Sequence, residues 1–574
     1  MKKLTFVLVL SVLSTLVFAG GILTNTNQSA QFIRMMSRNA SLDIDAVYFN
    51  PAGVIKLEDG WHFAFYSQTI FQDKNVESEF PLLNDGTYVG KVSVPVFPTA
   101  FAVYKKENWA FSLGFGPNAG GGSAEFERGL PSFEIPISKM APGLQQLSML
   151  SQVGMNIDLP TGYDVDLYFN GSSVFWGIQL GATYKINDIL SVYGGFRYLP
   201  SKNVYQGHIR DISLTFNGQP INAMNWMNDR VGDITDKSAY YSGLAAQASA
   251  GSTQLSAAAT GLQPIIDGGG GALTINQLAD LGKIDANTKA VLVGTLQTLG
   301  VPDEQISGLS IATVQGTFST ASTTLAGQAA QASGAATILT GVASGLDEKA
   351  SQLGDKEVDT EQKGNGFTPM VGLNISPNED WNIAVKYEMK TKLTLKNEYA
   401  KNDNYGEMLF GDETKNDIPA ILGLGVGYKG LDWLEAQLSY TMYFNKGVNW
   451  GNNTRYMVVG QEVKREIERN GYEVGLGFQF NLSEEFAVST GGMYGDMGVA
   501  PNYQSDFSYS NPSFTVGAGI MWRITDKLTL DAGISNTFYQ DQTVPFEDPD
   551  FSTYNDILGK TTLNFAAGLS YSIF

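Results

Sequence analysis

The feature that most constrains this chain is a set of amphipathic stretches whose connections alternate between tight and long. Apolar and polar residues alternate over 61–72, 96–105, 108–116, 174–186, 189–199, 365–375 and 381–393. The second half repeats the pattern over 418–428, 433–444, 471–480, 486–494, 513–523, 528–539 and 562–574. Each of these fourteen stretches is close to the ~9 to 11 residues that a tilted membrane strand requires. Tight turns fall at Lys106-Glu107, Asn187-Asp188, 377–380, 429–432, 483–485 and 525–527, and every other connection is long. Short turns at one rim and long loops at the other are the pattern of a transmembrane β-barrel, and an even strand number returns both termini to one side. Three hairpins carry a repeated Gly-x-x-x approach to the turn, at Gly181, Gly425 and Gly517. A soluble sandwich of short strands is the competing architecture. It is disfavoured because Phe514, Val516, Ile520 and Trp522 alternate with Thr515, Gly517, Gly519 and Arg523, as expected for lipid outside and a polar lumen.

The N-terminal stretch agrees with export. Lys2 and Lys3 precede an apolar run from Leu4 to Phe18 that ends Val17-Phe18-Ala19-Gly20, the pattern of a secretory signal peptide (1–19) cut after Ala19. No other stretch approaches the roughly 20 apolar residues of a membrane helix, and alternating strands leave little trace in averaged hydropathy, in keeping with the mean of -0.09. The 64 glycines, 26 tyrosines and 32 phenylalanines suit strands with interfacial girdles, and the absence of cysteine removes disulfides and thiol chemistry. A net charge of -20 argues against a nucleic-acid partner. Only His62 and His208 are available as imidazole bases, and neither has a nucleophile arrangement around it, so no enzyme, metal site or cofactor is expected.

The last stretch places Leu563, Phe565, Leu569, Tyr571 and Ile573 on one face and ends on Phe574, one residue off that face. It is similar to the assembly signal of bacterial outer-membrane proteins, which implies the assembly machinery as a partner. Pro98, Pro369 and Pro419 fall in or near proposed strands, where a closed barrel offers no free edge, and they predict bulges or strand ends.

Residues 20–60 precede the first strand without strand alternation. They contain Ser37-Arg38-Asn39-Ala40-Ser41, Asp45-Ala46 and Asn50-Pro51-Ala52-Gly53. Taken alone, Asn-Pro and Ala-Gly are turn signals of an ordinary N-terminal loop. In this position, Asp45, Asn50, Pro51, Ala52 and Gly53 resemble the N-terminal hatch of the FadL family of long-chain fatty acid transporters. The resemblance extends over the mature chain except for about 217–364. It implies a bore closed by the hatch, capture of ligand outside, and sideways release into the bilayer through a window at a kink in the third strand. It also implies passive transport of hydrophobic molecules across a Gram-negative outer membrane. Monoaromatic hydrocarbons are alternative cargo, since the family includes channels for them. Gly114, Gly116 and Pro117 lie where such a window belongs, because glycine and proline weaken ladder pairing; a strand ending in a Gly120-Gly121-Gly122 loop is the plain reading.

The connection after the third strand carries Leu144, Leu147, Leu150 or Ser151 and Gly154 at helical spacing, with Met149, Val153 and Met155 adjoining. So apolar a segment either packs on its own rim or lines a ligand groove, and in the family this loop forms the outer groove. A carboxylate cargo would favour lumenal cations. Arg197 and Lys386 point inward by strand parity and Arg34 and Arg38 sit in the plug, although lumenal acids such as Glu388 or Glu435 could engage them instead.

Between the fifth and sixth strands, Tyr241, Ala245, Ala248, Ser252, Leu255, Ala259 and Leu262 recur in steps of four and three. Leu325, Ala329, Ala332, Ala336, Leu339, Ala343, Leu346, Ala350 and Leu353 do the same. These heptad stripes of small residues predict an extracellular antiparallel helical hairpin with close axes, capped by short helices near 275–281 and 288–299; a flexible low-complexity loop is the alternative that the Ala, Gly, Ser, Thr and Gln composition suggests. The domain reading is therefore a hatch (20–60), strands one to five (61–216), a helical insertion (217–364) and strands six to fourteen (365–574). A diffusion porin and an adhesin acting through the insertion, with a partner the sequence does not name, are the remaining rivals. The outer face implies contact with membrane lipid and lipopolysaccharide.

Overall fold

Alternation of polarity becomes alternation of side-chain direction. In the computed structural model, which describes residues 24–402, 413–450, 455–458, 461–464, 467, 469–548 and 551–573, Trp61, Phe63, Phe65 and Phe71 are exposed. Their neighbours His62, Ala64, Tyr66 and Gln68 are buried. Phe514, Val516, Trp522, Phe565, Leu569, Tyr571 and Ile573 are likewise exposed, so the apolar face points outward along both early and late strands. The expected signal peptide and Phe574 lie outside the described residues.

The wall is made of fourteen strands: β1 (Gly60–Ser78), β2 (Thr87–Lys106), β3 (Trp109–Phe126), β4 (Gly162–Lys185), β5 (Leu190–Phe216), β6 (Lys356–Ile375) and β7 (Trp381–Glu388), then β8 (Ile421–Leu431), β9 (Leu434–Tyr443), β10 (Gly471–Asn481), β11 (Phe486–Asp496), β12 (Ser513–Thr525), β13 (Leu528–Tyr539) and β14 (Ser552–Ile573). Neighbours in chain order pair antiparallel. A tight turn carries β4 into β5, with the Ile186 amide donating to the Leu190 carbonyl at 2.9 Å. The barrel closes where β1 pairs with β14 from Trp61↔Ile573 to Ser78↔Asp556. At the short-turn rim, Trp61 stacks near Tyr104 with ring centroids 4.7 Å apart, Trp109 near Tyr184 at 4.7 Å and Trp381 near Tyr428 at 4.8 Å. This is the aromatic girdle that a water–lipid boundary favours.

Several strands outrun the membrane length that the sequence pattern marks: β4 has 24 residues, β5 has 27 and β14 has 22. Backbone pairing continues past the lipid, where outward residues no longer need to be apolar and the alternation fades. For this reason β6 begins at Lys356 instead of 365. β7, by contrast, stops at Glu388 instead of 393, and the chain pairs again with β6 further up through Thr394–Asn402. The three prolines sit at interruptions. Pro98 lies where β2 loses its pairing to β3, Pro369 lies just outside the β6–β7 register that starts at Met370, and Pro419 precedes β8.

The hatch fills the bore with α1 (Ala30–Met35), α2 (Ala46–Phe49) and a 3-10 turn, Pro51–Lys56. Ser29 caps α1 through its hydroxyl, which accepts from the Phe32 amide at 2.9 Å. Beyond β3 a further helix, α3 (Pro131–Ser138), is held by Glu134, whose two carboxylate oxygens accept from the Tyr88 and Tyr163 hydroxyls at 2.7 Å each.

The chain divides into two compact units, one of which contains Ala141–Gly162 and Ser213–Gly354. Within that unit, α4 (Ala223–Ile265) and α5 (Ile311–Ser351) form the expected hairpin. At 1.5 Å per residue each extends roughly 60 Å. Small residues bring the axes close enough for side chains to reach the opposing backbone. Ser252 and Ser322 each donate to the other's carbonyl at 2.8 Å, and Ser238 donates to Ala336 at 3.0 Å. The cap contains Ile275–Asp280 and Ala286–Thr298, packed with Leu255, Leu262, Ile311 and Phe318 in one apolar core.

Candidate functional site: a plugged cavity beside a break in the wall

The hatch is fastened to both sides of the lumen. Arg34 is buried and its Nε donates to Asp531 Oδ1 on β13 at 2.9 Å. Its Nη1 reaches Gln479 Oε1 on β10 at 2.7 Å and also contacts Ser489 on β11. Across the bore, Thr183 donates to the Pro51 carbonyl at 2.7 Å, Ser191 to Ala52 at 2.8 Å, and Asn50 to Asn374 Oδ1 at 2.7 Å. Gly53 is required by close approach, since a Cβ there would meet the Ser41 carbonyl at 2.8 Å. The hatch also lies against a wall paved with glycine: a Cβ on Gly477 or Gly491 would collide with the Met35 carbonyl, and one on Gly517 with that of Ile33.

Within the hatch, Asp45 gathers the Ser29 hydroxyl at 2.9 Å, the Ser41 hydroxyl at 2.5 Å, and Arg38 through Nε at 2.9 Å and Nη2 at 2.8 Å. Asp43 also accepts from Arg38 Nη2, at 2.6 Å. Burial opposes the Arg38 charge, but Asp45 and Asp43 outweigh it and hold the guanidinium pKa well above its ordinary value.

These bonds change the role of the four cations expected to meet a cargo head group. Arg34 belongs to Asp531 and Arg38 to Asp45. Arg197 is bidentate on Glu388, at 2.7 and 3.3 Å, and Lys386 donates to Glu388 Oε1 at 2.8 Å and to the Tyr48 carbonyl at 2.7 Å. Both Arg197 and Lys386 lie over the Tyr48 ring, 4.9 and 4.6 Å from its centroid. All four lock the plug and the adjacent wall; Glu388 is among the acids the sequence offered as partners.

The wall breaks between β2 and β3. Pairing runs from Lys106↔Trp109 to Ala100↔Phe115, stops, and resumes at Val92↔Ala124. Over the gap β3 remains paired to β4, with register shifts between Pro117 and Ala119 and between Gly120 and Gly122. The bulged residues therefore swing β3 away from β2. Gly120 and Gly121 adopt φ of 66° and 125°, which glycine tolerates best. Gly116 and Pro117 lie within the gap; Gly114 lies just before it, still paired to Phe101, where a Cβ would press on Val47 of the hatch at 3.1 Å. Gly120-Gly121-Gly122, a loop on the plain reading, is part of β3.

The chain's first described residues bind the freed backbone of β3. Thr24 forms a bridge with Ala119, and the Asn25 amide donates to the Asn118 carbonyl at 2.9 Å. Asn25 Nδ2 donates to the Gly120 carbonyl at 2.6 Å and Gln28 Nε2 to that of Pro117 at 2.8 Å. From the other edge, Phe97 covers Gly121 while Val92 and Val94 cover Gly122. Behind this seam lies a cavity of about 440 Å³, within the usual size range of small-molecule sites. Residues 24–27, Phe97 and the three glycines line one side. Phe126, Phe133, Phe169 and Phe507 line another, with Phe507 centred 4.9 Å from Phe169 and 5.2 Å from Phe133.

The segment after α3 departs from the expected α-helix. Met140–Leu144 is a short α turn followed by a 3-10 stretch, Gln145–Val153. Three residues per turn place Leu144, Leu147 and Leu150 on one side, and all three are buried, while Met149, Val153 and Met155 are half-buried. Gly154 ends the stretch at φ 68°, and the Tyr241 hydroxyl donates to the Val153 carbonyl at 3.0 Å.

Sequence reasoning missed Asn25, Gln28, Phe97, Lys74 and Lys560. The lysines share inward parity with Gln72 and Thr562, but they lie beyond the membrane-length limits placed on β1 and β14. Nothing in residues 24–28 marks them as partners of β3, because they bind mostly backbone.

Plug, cavity and side break together define a plugged fourteen-stranded β-barrel with an interrupted wall. No family model matches the sequence, and no curated protein matches it. Among solved structures, a Pseudomonas aeruginosa FadL homologue is similar over 97% of this chain and 100% of that one, at 11% identity and a TM-score of 0.52. The P. putida toluene transporter TodX is similar over 92% of this chain and 94% of its own, at 12% identity and 0.46. For the Ralstonia pickettii toluene transporter TbuX the values are 93%, 94%, 12% and 0.43. The P. aeruginosa protein shares the fold with this chain.

Proposed function

We propose that this chain is an outer-membrane channel of a Gram-negative bacterium that passes hydrophobic small molecules, with long-chain fatty acids as the cargo. The observation that carries this reading is the broken β2–β3 seam directly beside the cavity, held by the hatch residues Thr24, Asn25 and Gln28. Cargo is captured at the long-loop end, where Met149, Val153 and Met155, backed by Leu144, Leu147 and Leu150, supply adaptable apolar contact. It moves into the cavity and leaves sideways into the bilayer when the strap at 24–28 releases β3. The exposed apolar band faces membrane lipid and lipopolysaccharide, β14 addresses the assembly machinery, and the helical hairpin, entered from the long-loop end of β5, stands outside the cell as a spacer or partner-binding element. The protein acts by binding and passage and carries out no chemistry.

The ring-lined wall of Phe126, Phe133, Phe169 and Phe507 also suits a monoaromatic hydrocarbon, and this is the second reading. Uptake of radiolabelled oleate, toluene and a small sugar into proteoliposomes containing the barrel tests both. Oleate passage without sugar passage is expected, toluene passage without oleate selects the second reading, and sugar passage without oleate overturns the hydrophobic channel.

A further inference from the structure

Lys74 and Lys560 face each other as register partners across the β1–β14 ladder. Both are half-buried and line the cavity. Like charges directly opposite on a sheet destabilise it, and partial burial adds to the cost. The molecule compensates only in part. The Lys560 ammonium donates to the Tyr509 carbonyl, and the two ammonium groups lie 4.4 and 5.9 Å from the centroid of the Tyr509 ring. Among the described residues neither has an ion-pair partner.

The surroundings run against the charge of the chain. In a protein with 57 acidic and 37 basic residues, the cavity lining includes Lys74, Lys356 and Lys560 but one carboxylate, Glu473, which is occupied by the Tyr443 hydroxyl at 2.8 Å. The position is also defined. On the outer face of β1 the apolar series ends at Phe71 and gives way to exposed Asp73 and Glu77, so the pair stands just past the apolar band, toward the long-loop end of β1. Lys74 pairs with Gly90, which in turn pairs with Phe126, so the ammonium groups stand beside the phenylalanine-lined wall of the cavity.

We propose that Lys74 and Lys560 form a receptor for the compact oxyanion head, carboxylate or phosphoryl, of an amphipathic cargo whose tail lies along the apolar wall of the cavity. The proposal rests on the reading that the cavity holds cargo. It moves head-group recognition from Arg34, Arg38, Arg197 and Lys386, whose charges hold the plug, to the closing seam of the barrel.

The test uses the full-length barrel in nanodiscs and three ligands with one tail: dodecanoate, dodecyl phosphate and dodecanol. The native chain is expected to bind both oxyanion ligands about tenfold more tightly than the alcohol, the scale of one charge-assisted hydrogen bond; the tighter of the two identifies the source of the head group. In the K74Q/K560Q variant all three ligands are expected to bind with the alcohol's affinity. Should that variant fail to assemble, raising the ionic strength on the native chain must weaken the oxyanion ligands and leave dodecanol unchanged. Equal binding of all three by the native chain, or a preference that survives K74Q/K560Q or high salt, overturns the receptor and leaves the channel standing. Binding of none of the three overturns the cavity reading itself.

Discussion

Strand β1 and its neighbours carry two seams of opposite character. The β1–β14 ladder runs through consecutive partners from Trp61↔Ile573 to Ser78↔Asp556 without a shift, whereas the β2–β3 ladder is interrupted between Ala100↔Phe115 and Val92↔Ala124. In the closing seam the register is uninterrupted, and what varies is the charge set on it, the Lys74–Lys560 pair. In the broken seam the backbone itself is the variable part, and its freed carbonyls are satisfied by Asn25 and Gln28 of the hatch. A barrel wall cannot leave such groups unpaired in lipid. An opening is therefore stable only while something else occupies the edge, and the plug's first residues do so.

The comparison breaks most sharply if the bulges are removed. Deleting Asn118 and Gly121 should restore a regular β3–β4 register, draw β3 toward β2 and reduce oleate uptake at least about tenfold, while heat-resistant mobility of the folded barrel on gels persists; undiminished uptake would place the exit elsewhere. Next in size is D531N, which leaves the buried Arg34 without its counter-charge and should cost about 3 to 5 kcal/mol, read as a lower unfolding midpoint in urea. A midpoint within about 0.5 kcal/mol of the native value would mean that Arg34 does not anchor the plug.

The double variant N25A/Q28A removes side-chain bonds to the carbonyls of Pro117 and Gly120, each worth about 0.5 to 1.5 kcal/mol. Hydrogen exchange of the β3 amides in the gap should then accelerate by about tenfold, with the β1–β14 amides unaffected; equal acceleration at both seams would show general loosening and no strap. The smallest effect concerns the intact seam. K74E places opposite charges across the ladder and should stabilise the barrel by about 0.2 to 1 kcal/mol, whereas a loss of stability would indicate that Lys74 already has compensation the geometry does not supply.

Much of the fold is legible because the bilayer imposes a simple rule. Outward positions such as Trp61, Phe63, Phe514 and Ile573 must be apolar, so strand phase and the alternation of tight and long connections survive in the linear sequence. The heptad stripes of α4 and α5 are legible for a comparable reason, since the small residues at Ser252, Ala259 and Ala336 are what close axes require. Above the membrane the rule lapses: the extensions of β4, β5, β6 and β14 pair through backbone and through polar side chains such as Lys202–Glu361 and Gln206–Asp359, without apolar alternation, and their lengths could not be read. The 3-10 stretch after α3 was hidden as well, because leucines three apart satisfy either helical period over so short a span.

The candidate site divides along the same line. Asn50, Pro51, Ala52 and Gly53 could be found because in this position they resemble a known hatch motif, and the weakness of β3 was visible in Gly116, Pro117 and the triple glycine. Which cations are free could not be found, because it depends on which carboxylates the folded wall brings within reach. Glu388 and Asp531, 191 and 497 residues away in sequence from Arg197 and Arg34, take those charges, while Lys74 and Lys560, 486 positions apart, are brought face to face without an acid between them. The sequence by itself determined the barrel and its strand phase, since both follow from short-range periodicity, while the plug was legible only through the resemblance of Asn50, Pro51, Ala52 and Gly53 to a known hatch. Only the tertiary structure decided what covers the interrupted wall and which charges face the cavity, because these are set by contacts between residues that chain closure alone makes neighbours.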